Sequence, residues 1–184
     1  MSENLKIKGL IVVLSALAWF GSYILDRHFL QFFERTPGID LVFIPSGVRL
    51  RVILIGGIWA ALGVSVGSLF LVGPEFHTAQ PLVLLSVAAG SGLFPYAALR
   101  ASLRAAGVDK NLASLSAAKL PLISLGVALG SAILHNVLFS ALGLAPWQAL
   151  IRNTLAMLTG DFVGILFATA IVFMILRLVR RSTT

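Results

Sequence analysis

The chain is a succession of long apolar runs divided by short polar breaks, and this alternation persists to the C-terminus. An α-helix needs roughly 20 apolar residues to cross a bilayer, and several of the runs supply them. Hydrophobic residues occupy 58% of the 184 positions and charged residues 11%, and the mean hydropathy is +0.98. A soluble domain carries about 25% charged residues. The expected fold is therefore an all-α integral membrane protein, one polytopic domain over 1–184, with the lipid bilayer as its first partner.

The spans are expected at about 9–25, 42–56, 58–73, 81–99, 120–142 and 148–177. The second and third come from one run. Leu41 to Val72 is 32 residues, too long for one ordinary span and short for two, and Gly56-Gly57 is the natural place to turn. Short surface helices are expected at about 27–35, where Phe29, Leu30, Phe32 and Phe33 can share a face, and at about 102–116. Lys6 and Lys8 precede the first run as in a signal peptide, but no small-residue cleavage site follows, so a retained span is expected.

Charge placement supports six spans. With both termini cytoplasmic, Lys6, Lys8, Arg100, Arg104, Lys110, Lys119, Arg177, Arg180 and Arg181 lie inside, and only Arg27, Arg35 and Arg152 lie outside. Nine basic residues against three is a strong positive-inside bias, which points to a bacterial inner membrane protein. A five-span chain would put both the Arg100–Lys119 group and the Arg177 group outside. The net charge of +7 forms no stripe along any helix, so nucleic acid is not an expected partner.

Cysteine is absent, which removes thiolate chemistry. No His-Glu-x-x-His, phosphate-binding loop or nucleophile motif occurs, so no catalytic residue, metal site or cofactor is expected, and the chain reads as a non-enzyme.

Polar residues inside the spans carry the functional expectation, because lipid makes them costly. Pro45-Ser46-Gly47-Val48-Arg49-Leu50-Arg51 opens the second span. Ser46 can cap a helix beginning at Gly47, leaving a positive helix end near Arg49. His135 and Asn136 in the fifth span and Asp161 in the sixth fall in the same outer layer. Ser46, Gly47, Arg49, His135, Asn136 and Asp161 are the expected ligand contacts, and the ligand is expected to be small and anionic. Arg51, about 200° round the helix from Arg49, is the expected ion-pair partner of Asp161. The competing reading is that an arginine paired with Asp161 simply joins two spans. Gly63/Gly67, Gly126/Gly130 and Gly160/Gly164 are candidate sites of close helix contact.

Phe43-Ile44-Pro45-Ser46-Gly47, with the Gly56-Gly57 pair beyond it, resembles the P-x-G opening of the MASE1-type bacterial integral membrane sensor domain. Gly160-Asp161-Phe162-Val163-Gly164 is similar to the G-D-x-x-G segment of a late helix in that family. The resemblance implies a sensory module acting with a signalling output protein, with Pro45, Gly47, Asp161 and Gly164 as the matching positions. The six-span, basic-ended plan is also similar to the S-components of energy-coupling-factor vitamin transporters. That likeness implies a substrate-binding uptake subunit with an ATPase module as partner. A structural or assembly subunit of a larger membrane complex is the third expectation.

Overall fold

The structure is a computed structural model that describes residues 3–30, 34–37, 39–109 and 112–182, with the side chains of 35, 36, 176, 178, 181 and 182 outside the description. It is almost entirely helical. Five helices follow one another: α1 (Glu3–Leu30), α2 (Pro45–Phe76), α3 (Pro81–Ala105), α4 (Leu120–Ala141) and α5 (Leu150–Ser182). All five elements are long and apolar enough to cross a membrane. A two-stranded antiparallel pair, β1 (Glu34–Thr36) and β2 (Ile39–Asp40), links α1 to α2.

Proline sets three of the helix starts. Pro45, Pro81 and Pro121 occupy the first turns of α2, α3 and α4, where a missing N–H costs nothing and the fixed φ suits a helix. Ser46 does not cap α2. The helix begins at Pro45 with Ile44 in the right-handed region, and the Ser46 hydroxyl instead lies 2.7 Å from the Phe43 carbonyl and 2.8 Å from that of Asp161. It ties α2 to α5.

α2 is interrupted at Gly57, where φ is 59° and ψ is −137°. Contacts show that the chain doubles back there. On α1, Trp19 donates to Ser68 at 2.8 Å and also lies 5.3 Å under the Arg49 guanidinium. In a straight helix, residues 49 and 68 would stand about 28 Å apart. At one end, Tyr23 meets both Phe43 and Glu75. At the other, Gly56 packs on Ile11 and Lys8 lies over the Trp59 ring. The arms 45–56 and 58–76 therefore form a helical hairpin against α1. Only glycine adopts the turn's backbone without strain.

Two surface-helix expectations are corrected. Residues 27–30 continue α1, and Glu34–Thr36 is a strand, while 31–33 lie outside the described residues. α3 runs on to Ala105, and the described residues after it turn irregularly until the 3-10 turn Ala117–Lys119. α5 passes Gly160 without a break.

Polar side chains sit inside among the apolar core residues, and the exterior is oily, unlike that of a soluble protein. Ser15, Ser68, Ser131, His135, Asn136 and Asp161 are buried, while Leu17, Phe70, Leu82 and Ile151 are exposed. All three glycine pairs sit at close contacts. Gly63 and Gly67 face the Val12 and Ala16 carbonyls of α1, Gly126 and Gly130 face Ser102 and Ala98 of α3, and Gly160 and Gly164 face the Asp40 and Phe43 carbonyls. The ends differ in charge. Asp26, Glu34, Asp40 and Glu75 gather where α2 starts, and Lys8, Arg100, Arg104 and Arg177 gather at the opposite end (the Gly57 end).

A methyl group at position 164 would collide with the Phe43 carbonyl, whereas one at position 9 would meet nothing within 4 Å. Gly164→Ala is expected to cost about 1–3 kcal/mol, read as a lower unfolding midpoint in detergent. Gly9→Ala is expected to leave the midpoint unchanged or slightly raised.

Candidate functional site

The first arm of α2 lies parallel to α5, with Gly47 against Gly164 and Ala168, and this register sets the arginines. Arg49 points into the bundle, where Nη2 meets Asp161 Oδ2 at 3.0 Å. Both side chains are sealed, at 5% and 2% exposure. Arg51, on the other side of the helix, donates to the Gly47 carbonyl and to Thr169 Oγ1, each at 2.8 Å. The expected Arg51–Asp161 pair is thus corrected to Arg49–Asp161. Both arginines reach α5, Arg51 at Thr169 near the outside of the contact, but only Arg49 turns inward to the level of Asp161 and lies against the Trp19 ring of α1.

Above this pair lies a cavity of about 60 Å³ between all five helices. Trp19, Phe43, Phe76 and Phe139 supply aromatic walls, Arg49 and His135 lie on it, and Asp40 and Glu75 stand at its outer end. His135 Nδ1 is 2.8 Å from the Ser131 carbonyl. A carbonyl can only accept, so Nδ1 carries the proton, and in the neutral ring Nε2 is left as an acceptor. Phe94 and Phe139 hold the ring edge-to-face at 5.1 and 6.0 Å.

Of the six expected ligand contacts, Arg49 and His135 line this cavity. Ser46 and Gly47 lie in the α2–α5 contact, and Asp161 backs Arg49. Asn136 sits on the α4–α5 seam, donating to the Ala132 carbonyl at 2.9 Å and reaching Met157 Sδ at 3.5 Å. One oxygen each of Asn136, Asn153 and Asp161, with the Ser140 hydroxyl, is buried there without a partner among the described residues.

The cavity meets an outer vestibule of about 630 Å³, lined by Phe20, Arg27, Glu34, Glu75 and His77 among others. Tyr23, Leu71 and Glu75 line both spaces. The partition is polar. The Tyr23 hydroxyl donates to Glu75, and Arg27 pairs with Glu75, with Glu34 at 2.8 Å and with Asp40 at 3.4 Å. Arg27 Nε also donates to the Tyr23 oxygen at 3.1 Å. Asp26 accepts the Ile44 N–H at 3.0 Å, which fixes the start of α2 beneath this cluster.

Sequence reasoning did not join Tyr23, Arg27 and these acids to the site. The usable signal was the four-residue spacing of Tyr23 and Arg27 on α1, which puts them on one helix face.

Asp40 lies outside the long helices. Burial first, and the neighbouring Asp26, Glu34 and Glu75 charges after it, push its pKa from 3.8 up to about 7 despite Arg27.

No protein-family model matches the chain, and no curated protein or solved structure matches it.

Two measurements probe this site. Arg49→Leu strands the buried Asp161 carboxylate and is expected to cost about 3–5 kcal/mol, whereas Arg49→Met with Asp161→Leu is expected to recover most of the loss. Thermal unfolding of the purified single and double variants checks it. For Asp40 the folded-state pKa is raised, so between about pH 4 and about pH 7 the folded chain holds a proton that the unfolded chain has released. Stability from this group therefore falls as pH rises through that window. The unfolding midpoint of Asp40→Asn relative to wild type is expected to rise from about pH 5 to about pH 8.

Proposed function

We propose that the chain is a non-enzymatic, six-crossing protein of the bacterial inner membrane, with both termini cytoplasmic. It binds a small ligand from the outer side and reports its occupancy to a partner protein. The hairpin at Gly57 supports the sixth crossing, because the arms 45–56 and 58–76 run in opposite directions. The charge separation of the two ends supports the orientation, since basic residues favour the cytoplasmic face.

The ligand is a small organic cation, such as a protonated amine. The observation that carries this reading is the chemistry of the cavity wall. Arg49 is neutralised by Asp161, so the helix entrance no longer offers a free positive charge to an anion. The acceptors on the cavity wall are the His135 Nε2, Asp40 and Glu75, the last already held by Tyr23 and Arg27, set among aromatic faces that attract cations. The cavity alone is too small for a ring-sized guest, since an apolar cavity that holds benzene measures about 150 Å³. The ammonium group enters the cavity, and the rest of the ligand stays in the vestibule.

α5 supports the sensory role. It is an unbroken helix from Leu150 to Ser182 and joins Asp161 to the basic end at Arg177, about 24 Å away along the axis. A shift of Asp161 moves that whole rod. The second reading is a substrate-binding uptake subunit, favoured by the layout of vestibule, partition and cavity. Transport of a bound ligand into sealed vesicles separates the two, because a sensor moves nothing.

Thermal-shift screening of small amines against small carboxylates tests the site. At about 100 times its Kd, a ligand adds about 2.7 kcal/mol of stability. An amine is expected to raise the midpoint, and Asp40→Asn with Glu75→Gln is expected to remove the effect. Stabilisation by carboxylates alone, or by neither class, counts against the proposal.

A further inference from the structure

A second site lies at the basic end, away from the cavity. There the end of α3 and the Gly57 turn of α2 enclose a groove of about 290 Å³. Arg100 and Arg104 line it, one helical turn apart on the same face of α3, with Tyr96 a turn deeper. Neither guanidinium has a hydrogen bond or ion pair among the described residues. Asp109 is the only carboxylate among its lining residues, and it makes no ion pair with either arginine among the described residues. The other wall is apolar and belongs to the first arm of α2. Ile53 is buried, but Ile55 is 87% exposed. Gly57 also lines the groove, so the start of the second arm, the positive end of its helix dipole, lies there. Trp59 and Lys8 stack beside the turn, the pairing expected at a membrane–water interface.

A groove with two guanidiniums unpaired among the described residues at its polar end and the exposed Ile55 on its apolar wall is matched by one kind of molecule. That molecule has an anionic phosphate joined to an acyl chain. We propose that this groove binds one anionic phospholipid, with Arg100 and Arg104 clamping its phosphate, the Tyr96 hydroxyl beside the headgroup, and a chain lying along the exposed Ile55. Basic recesses between helices on the cytoplasmic side hold such headgroups in membrane proteins generally. The proposal rests on the membrane-crossing reading above, but not on the outer cavity or its ligand. A lipid wedged there would brace the Gly57 turn from below.

Native mass spectrometry of the detergent-purified chain, titrated with phosphatidylglycerol or phosphatidylcholine, tests it. One phosphatidylglycerol is expected to stay bound where phosphatidylcholine does not. Arg100→Gln with Arg104→Gln is expected to weaken it about 30-fold, from about 1 kcal/mol per basic residue. Lys6→Gln with Lys8→Gln removes the same charge from the same end and is expected to leave binding intact. The exposed single change Arg104→Gln is the second variant, should the double variant not fold, and a loss there also supports the site. Equal loss from the lysine pair, no loss from the arginine changes, or displacement of the lipid by millimolar inorganic phosphate overturns the proposal. Alkaline carbonate extraction checks the premise separately. Release of the chain into the soluble fraction sinks the membrane reading itself, whereas loss of lipid preference with the chain retained in membranes sinks only the groove.

Discussion

The Arg49–Asp161 pair is the contact on which the arrangement of the bundle depends. The first arm of α2 is shorter than any of the five long helices, and it runs parallel to α5 with no short loop to hold it there. Its register comes from a ladder of contacts. Phe43 N–H reaches the Gly160 carbonyl at 3.2 Å, Ser46 reaches the Asp161 carbonyl, and Arg51 reaches Thr169. The ion pair is the one rung with a large penalty for slipping. A shift of one residue would rotate Arg49 by about 100° and leave two buried charges unpaired. Such a pair adds little net stability over apolar packing, because desolvation consumes most of the Coulomb gain. Its effect is to make wrong registers expensive.

The glycines make that pairing possible. Gly160 and Gly164 let the 40–43 backbone lie directly on α5, which brings the start of α2 close enough for a short polar ladder. Gly57 then lets the chain return along α1. Trp19 joins the two arms by holding Ser68 with its N–H and Arg49 with its ring. One aromatic side chain thus links both halves of the hairpin to the ion pair. The cavity forms above this point because the rigid rings of Trp19, Phe43, Phe76 and Phe139 cannot close over it.

Much of this fold was legible in the sequence. The apolar runs announced an almost entirely helical chain of long apolar helices, because a bilayer demands length and oiliness that few other structures need, although α1, α3 and α5 run up to six residues beyond the expected bounds. Gly56-Gly57 marked the reversal, and the three glycine pairs marked helix contacts. The failures share a cause. Residues 27–36 carry a helical pattern, but the charges of Arg27, Glu34 and Asp40 find partners only when the chain leaves α1 and folds back as two strands. Arg49 and Arg51 are alike in sequence, and only the rotation of the arm against α5 decides which one meets Asp161. The cavity walls come from every helix, and no local spacing announces such an assembly.

The partition between vestibule and cavity follows from the same charge layout. Glu75 is held by Tyr23 and by Arg27, and Arg27 is shared with Glu34 and Asp40. One guanidinium is shared by three carboxylates, and Glu75 also takes the Tyr23 hydroxyl. On the proposed reading, a guest cation that approaches through the vestibule meets these acids before anything else. An anion meets the same acids and gains nothing until it has displaced Glu75 from Arg27. Below the partition, Arg49 repels a cation less than its charge suggests, since Asp161 and the Trp19 ring already screen it. The outer acids and the inner ion pair therefore act in the same direction. On the reading proposed above, that shared direction is why the guest is taken to carry a positive rather than a negative group.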